Sequence, residues 1–369
     1  MRALIRAYLA ENFGDDLFVY ILCNRYPGTQ FYLVGEESKR YIEHCADNLK
    51  FVSADSFFSK ILNKKHKLKM KLQGKKYQIL REEAVLNEMC KLFKHNILVT
   101  GSFYIQSPYW DGIIRDKEWY ETKPYILGCN FGPYYDKEYY QIYRELFKNA
   151  AQVCFREQYS YQLFKNLKNV SWAPDLVFNL DISKYDIIDN DYIIVSVVNL
   201  LKDDDMQMKD IQDSYIHFLV DVINKLTVKR KKVVLMSFCC RQGDTKVIDA
   251  IMKLVDNRQY VTIYEYKEYG IEKSIELFSK CSGVIATRYH AMILGMLFRK
   301  PLVPIVYSEK MLNVLNDMGY SGRVLNVNSL SNEHIENIED LMFKLQDDVI
   351  DRQIERAQLQ FEYLDNIFY

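Results

Sequence analysis

Arg288 and His290 stand two residues apart in TRYHAMILGMLFRKPLVPIVYSEK, residues 287 to 310. Arginine presents a planar fork to a carboxylate or phosphate, and histidine moves a proton near neutral pH. The residues before the pair, SGVIATR, read as a buried strand, and those after it, HAMILGML, as an apolar helix. The pair therefore falls at a strand-to-helix turn, where exposed backbone N–H groups favour an anion. The plainer reading makes Arg288 a surface ion pair and His290 a helix cap, but the position after a buried strand favours chemistry.

Other strand ends carry polar residues of useful types. NFGDD (12 to 16) opens the first helix, and there Gly14 allows close backbone approach while Asn12, Asp15 or Asp16 can cap the helix or meet a ligand hydroxyl. VTGSFYIQ (99 to 106) and LGCNFGPYYD (127 to 136) are glycine-containing turns holding Ser102 and Asn130. FREQYSYQLF (155 to 164) sets Arg156 and Glu157 at a strand end with Ser160 on the next helix, and a solvated ion pair is the default for those charges. SFCCRQGDT (237 to 245) offers Arg241, Gln242 and Asp244 in a loop. No GxGxxG, Walker A loop, GxSxG elbow or HExxH helix is present, which disfavours dinucleotide enzymes, common NTPases, α/β-hydrolases and zincins.

The elements that must position these turns alternate along the whole chain. Near-continuous apolar strands such as QFYLVG, HNILVTGS, DYIIVSVVNL, KKVVLMSFCC and KPLVPIVYS are separated by helical stretches such as IQDSYIHFLVDVINKLT and TKVIDAIMKLVD. That pattern predicts parallel sheets covered on both faces. It restarts near residue 190, after the Asp-rich DISKYDIIDND, predicting two α/β, Rossmann-like domains over 1 to 187 and 188 to 369. The carboxyl ends of both sheets are then expected to face a central cleft, the usual ligand site of such sheets. The stretch from Ser331 to Tyr369 reads as one or two helices opened by Ser331 and Asn332 with Glu333 nearby.

The 369 residues are 49% hydrophobic and 27% charged, which supports real cores and excludes a disordered chain. The zero net charge divides unevenly: residues 1 to 185 hold 27 basic and 21 acidic side chains, and the rest holds 22 and 28. A uniformly basic nucleic-acid binder is disfavoured. Eight cysteines without CxxC or zinc spacing read as buried thiols in a reducing cytoplasm, and no metal is indicated. The N-terminus does not read as a secretory signal, and no apolar stretch approaches the roughly 18 residues of a membrane span. Tyrosine is abundant at 29 residues; its ring and hydroxyl suit sugar-facing clefts, but base composition of the coding sequence is the simpler explanation of the excess. FFSKILNKKHKLKMKLQGKK (57 to 76) carries eight Lys and no acid, reading either as a patch for an anionic membrane face or as a solvated excursion.

Taken in order, NFGDD, VTGS, GCNFGP, the FRE-then-Ser helix, WAPDLVF (172 to 178) and RYHAMILG followed by KPLVPIVYSEK resemble the polysaccharide pyruvyl transferase family. The resemblance implies a GT-B-like fold and transfer of the enolpyruvyl unit of phosphoenolpyruvate to two sugar hydroxyls as a cyclic ketal, with no cofactor beyond that co-substrate. It makes Arg288 the anion clamp and His290 the general acid or donor-phosphate ligand. Arg156, Arg241 and Lys310 are secondary donor-binding candidates; Asn12, Gly14, Asp15, Asn130 and Ser102 are candidates on the acceptor side, Asp15 also for hydroxyl activation. The implied partners are phosphoenolpyruvate and a saccharide acceptor, lipid-linked or polymeric, in the cytoplasm or at the inner membrane face. A nucleotide-sugar glycosyltransferase of the same architecture, with Glu265 or Asp244 reading the nucleoside, is the alternative. A non-catalytic sugar-binding protein is the third reading.

Overall fold

The computed structural model describes residues 1–74, 79–112, 114, 117–201 and 206–369. They form two compact units. The first comprises Met1–Leu9, Asp15–Leu176 and Arg356–Tyr369, and the second Ala10–Gly14 and Val177–Glu355.

The first unit holds a seven-stranded sheet of β1 (Arg2–Ala7), β2 (Gln30–Gly35), β3 (Leu49–Ser53), β4 (His95–Val99), β5 (Tyr125–Cys129), β6 (Gln152–Phe155) and β7 (Val170–Trp172). All pairings are parallel, in the order β3-β2-β1-β4-β5-β6-β7. The second unit holds β8 (Tyr192–Ser196), β9 (Lys232–Ser237), β10 (Val261–Glu265), β11 (Gly283–Ala286), β12 (Leu302–Val306) and β13 (Leu325–Asn326). These too are parallel, ordered β10-β9-β8-β11-β12-β13. Each sheet is flanked by helices, as near-continuous apolar strands require: every residue of β4, β6, β11 and β12 is buried. Both sheets reverse their direction of growth once, between β1 and β4 and between β8 and β11. At such a reversal the loops leaving adjacent strands part in opposite directions and open a crevice at the carboxyl edge.

Helix Phe57–Leu72 is not a solvated excursion. Ser56 Oγ accepts from Ser59 N at its start, and Ser59, Leu62, Asn63, His66 and Met70 form a buried face. Lys75 and Lys76 of the same Lys-rich run lie outside the described residues. The tyrosines explain part of their own abundance: Tyr104 and Tyr143 are buried with Phe131, Phe147, Phe155 and Phe164. Within that group Tyr104 to Phe147 and Phe131 to Phe164 are edge-on pairs, both with centroids 4.9 Å apart. Such rings contribute large buried area and specific edge-to-face geometry.

The stretch after Ser331 departs from expectation. Ser331 and Asn332 belong to a 3-10 turn, Val327–Asn332, and cap no helix; the α-helices begin only at Asp347–Ala357 and Glu362–Phe368. Leu330, Ile335 and Ile338 are buried in the second unit's core, and their spacing of five and then three leaves no steady helical face. The C-terminal segment Arg356–Tyr369 is stitched into the first unit. Gln360 Nε2 donates to the Phe155, Ala173 and Pro174 carbonyls at 3.3, 3.1 and 3.1 Å, and its Oε1 accepts from Gly128 N at 3.0 Å. Asp365 accepts from Arg25 and from the Tyr26 hydroxyl.

Candidate functional site

In the second unit the turn after β11 lies at the sheet's reversal point. Thr287 N and Arg288 N both donate to Ser196 Oγ at 3.1 Å, which ties the turn to the end of β8. Tyr215 OH donates to Thr287 Oγ1 at 3.0 Å, and Val198 N in turn donates to Tyr215 OH at 3.4 Å. Helix Tyr289–Leu297 then starts with Arg288 in extended backbone at its N-cap. Ala291 N and Met292 N donate back to Arg288 O at 3.1 and 3.2 Å, and the start of the helix is the end whose dipole favours an anion.

Arg288 is buried rather than a surface ion pair. Its Nε lies 3.2 Å from Val197 O and 3.1 Å from Asp244 Oδ2, its NH1 donates to Gln242 Oε1 at 2.6 Å, and its NH2 contacts Asp244 Oδ1. Burial lowers the guanidinium's basicity, but the Asp244 carboxylate outweighs it, and the net shift is upward, so Arg288 stays charged. Asp244, fully buried, also accepts from Phe238 N and Cys239 N at 3.0 Å each. A guanidinium has five N–H groups, and these contacts engage three, leaving an edge for a ligand.

Residues 10 to 14 belong to this unit and bring the NFG turn to the same place. Phe13 N donates to Phe238 O at 3.0 Å, and Asn12 Oδ1 accepts from Gly14 N at 3.1 Å. A Cβ on Gly14 would stand 1.7 Å from His290 Nδ1, so only glycine lets the turn lie against the imidazole. Glu11 adopts a left-handed backbone, φ 51°, uncommon for a side chain-bearing residue. Its carboxylate lies 3.4 Å from Arg241 Nε and 3.3 Å from Lys267 Nζ. Burial raises the Glu11 pKa, but Lys267 and Arg241 more than offset this and leave it below its ordinary value. Lys310, half-buried, lies 5.7 Å over the ring of Tyr289. The second unit thus gathers Asn12, Gly14, Arg241, Arg288, His290 and Lys310. Spacing did not single out Glu11 or Lys267; the signal for Glu11 was its place next to Asn12.

The first unit gathers Ser102, Asn130 and Arg156 at the carboxyl ends of β4, β5 and β6. Arg156 is buried and ion-paired with buried Asp175 at 3.2 Å, which corrects the expectation of a solvated pair with Glu157. Its NH2 donates to Asn130 Oδ1 at 2.7 Å and to Ser102 Oγ at 3.3 Å. Gly101 is small of necessity, since a Cβ there would be 2.8 Å from Arg156 NH1. Glu157 is buried as well, accepting from Ser160 Oγ at 2.7 Å, while Ser160 Oγ accepts from Phe131 N at 2.8 Å. Asp175 stands within the WAPDLVF segment, where the sequence could have flagged it. Asp15 is half-buried in this unit, and its neighbour Asp16 accepts from the Tyr41 hydroxyl at 3.0 Å.

His66, Glu88 and Glu118 bring one potential ligand atom each within 4.8 Å of one another, a grouping invisible in the sequence. Three ammonium groups already occupy the carboxylates: Lys65 and Lys91 on Glu88 at 2.8 and 3.2 Å, and Lys69 and Lys91 on Glu118 at 2.8 and 2.5 Å. The cluster is an ion network beneath helix Phe57–Leu72. Burial raises the Glu88 pKa, but Lys65 and Lys91 overcome this and hold it at about 2, against 4.5 ordinarily. A carboxyl lowered on folding stabilises fully above its unfolded value and loses that contribution as pH falls through the folded one. Between about pH 5 and 2 the parent protein should therefore lose stability more steeply than Glu88→Gln. Parallel pH slopes of their urea midpoints would contradict the network.

A family model described as "Polysaccharide pyruvyl transferase" matches residues 5–309. The amylovoran biosynthesis protein AmsJ of Erwinia amylovora is 23% identical over 263 residues, covering 66% of this chain and 63% of that protein. The chain thus matches less than two thirds of the length of that curated relative. Among solved structures, Anabaena HepE in complex with UDP-glucose aligns with a TM-score of 0.59 at 12% identity, covering 99% of both chains. HepE with UDP and glucose aligns at 0.54, also at 12% identity, covering 98% of this chain and 94% of that one. At this identity the likeness concerns the fold, a tandem Rossmann-like α/β architecture of GT-B type. Among the described residues no helix is long and apolar enough to cross a membrane.

Proposed function

Because the chain belongs to the polysaccharide pyruvyl transferase family, we propose that it transfers the pyruvyl unit of phosphoenolpyruvate to two hydroxyls of one sugar, forming a cyclic ketal and releasing phosphate. The observation that carries this reading is His290 at the start of helix Tyr289–Leu297, beside Arg288 at the reversal point of the second sheet. The donor is an anion that must receive a proton on carbon, and the turn pairs an anion cradle with a group able to supply one.

In the proposed reaction, His290 delivers a proton to the methylene carbon, turning it into a methyl group and leaving an oxocarbenium-like centre at C2. Two sugar oxygens form bonds to C2, and the C2–O bond to phosphate breaks. Of the two hydroxyl protons released, one replaces the proton given to carbon and the other leaves with phosphate. Arg288, fixed by Asp244, offers its remaining N–H groups to the donor's carboxylate or phosphate, with Arg241 and Lys310 adding positive charge. The second unit is then the donor side, where Asn12 and Gly14 set the wall against His290. The first unit is the acceptor side, where Asn130 and Ser102 bind sugar hydroxyls and Asp15 activates one; Arg156, expected on the donor side, instead holds Asn130 and Ser102 through its NH2 group. The acceptor is a sugar of a surface polysaccharide or its lipid-linked precursor, met in the cytoplasm or at the inner membrane face.

Incubation with phosphoenolpyruvate and a panel of lipid- and aryl-linked sugars should release inorganic phosphate in step with ketal formation. Absence of both across a broad panel, with no stabilisation by phosphoenolpyruvate, would sink the proposal. Stabilisation by a uridine or guanosine diphosphate instead would favour the glycosyltransferase alternative. Gly14→Ala should lower turnover by about a hundredfold, because a displaced catalytic group loses its aligned geometry. Its urea midpoint should move little, since the imidazole can swing aside; unchanged turnover would remove Gly14 from the site.

A further inference from the structure

Helix Phe57–Leu72 buries one face and leaves the other with an unusual composition. Phe57 and Leu72 are each 80% exposed, Leu68 59%, and Ile61 and Phe58 each 49%. At 100° per residue, Phe57, Ile61, Leu68 and Leu72 fall within about 60° of one another, a single stripe along the helix. Lys60, Lys64, Lys67 and Lys71, all exposed, lie along one edge of the stripe, and exposed Lys65 lies beyond the other. The helix contains no acidic residue. The nearest network acids, Glu88 and Glu118, sit on the inner side and are bound by Lys65, Lys69 and Lys91.

Large apolar side chains in water are costly to leave uncovered, and a strip rimmed by one sign of charge marks an interaction surface. We propose that this face lies on an anionic lipid bilayer, with Phe57, Ile61, Leu68 and Leu72 entering the headgroup boundary and Lys60, Lys64, Lys67 and Lys71 reaching lipid phosphates. Lysine suits that geometry because its aliphatic stem packs on apolar surface while the ammonium extends to the polar layer. Charge complementarity selects the occupant. A second copy of the same helix would set lysine rows against lysine rows, whereas an anionic leaflet attracts each of them. Apolar insertion and electrostatic attraction together give reversible surface attachment without a spanning segment.

The test needs no turnover, so its outcome is separate from that of the transfer reaction. The full chain is sedimented with phosphatidylcholine vesicles, with and without phosphatidylglycerol. Binding is expected to the anionic vesicles and to be largely lost in high salt. Two variants, Lys60→Gln with Lys64→Gln, Lys67→Gln and Lys71→Gln, and Phe57→Ser with Ile61→Ser, Leu68→Ser and Leu72→Ser, should each lower partitioning by at least about a hundredfold. Leu68→Trp, a milder change, should show blue-shifted emission with anionic vesicles only, measured as the difference from the parent. Binding indifferent to lipid charge, unchanged partitioning in both variants, or no shift in Leu68→Trp would each overturn the proposal. So would a dimer without vesicles that the serine variant abolishes.

Discussion

Replacing His290 with Ala is expected to lower ketal formation by about 10²- to 10⁴-fold, the range for removal of a positioned general acid. The side chain is half-buried at a helix start, outside the strand core, and its loss leaves the Ser196 and Tyr215 contacts of the turn in place. The urea midpoint should therefore stay close to the parent's. The kinetic split reports the role. A proton donor acts in the transition state, so kcat should fall with KM nearly constant, whereas a donor-phosphate ligand would raise KM. Full activity in His290→Ala would reject both roles.

The largest effect on stability is expected at the Arg288–Asp244 pair. Arg288→Ala leaves a carboxylate buried with only two backbone N–H groups for company, and breaking a buried pair in this way costs about 3–5 kcal/mol. Asp244→Ala should cost at least as much, because it strands the guanidinium and also the N–H groups of Phe238 and Cys239. Asp244→Asn keeps an acceptor for those N–H groups and should fall between the parent and Asp244→Ala. Urea unfolding read by probes in the second unit measures the series. A cost below about 1 kcal/mol for Arg288→Ala would mean that the pair is solvated, contrary to its burial. Such destabilisation makes loss of activity in Arg288→Ala ambiguous, and Arg288→Lys is the better kinetic probe: it keeps the charge but not the fork.

Much of the fold was legible in the sequence because buried parallel strands write themselves as continuous apolar runs. Among the described residues, eleven of the thirteen strands fall on apolar runs visible in the sequence. The two that do not, β7 and β13, have three and two residues, too few to show a period. The start expected at Ser331 failed for a related reason: two helices do follow, but only from Asp347, because the apolar residues before it lack a helical face. At the site, Arg288 and His290 were legible because strand, turn and helix follow one another directly. Asp244 was noticed only as a loop residue for a ligand and Glu11 not at all, since what they do depends on partners 44 and 230 residues away. Arg156 shows the same limit. Its type and position drew notice, yet only the fold discloses that Asp175 and Asn130 enclose it.

The lysine-rich helix illustrates how placement changes meaning. As a string of letters it was six lysines with scattered apolar residues. Folded, its His66 and Met70 face inward, and the remaining apolar residues line up on the outside. If its outer face binds lipid, the acceptor proposed above, where lipid-linked, would be met at the membrane face.

The most direct measurement of the central claim is a crystal structure of the full chain with phosphoenolpyruvate. The donor is expected at the turn after β11, with an anionic group against the start of helix Tyr289–Leu297 and its methylene carbon within reach of His290. Phosphoenolpyruvate bound elsewhere, or a nucleoside diphosphate at that turn in its place, would contradict it.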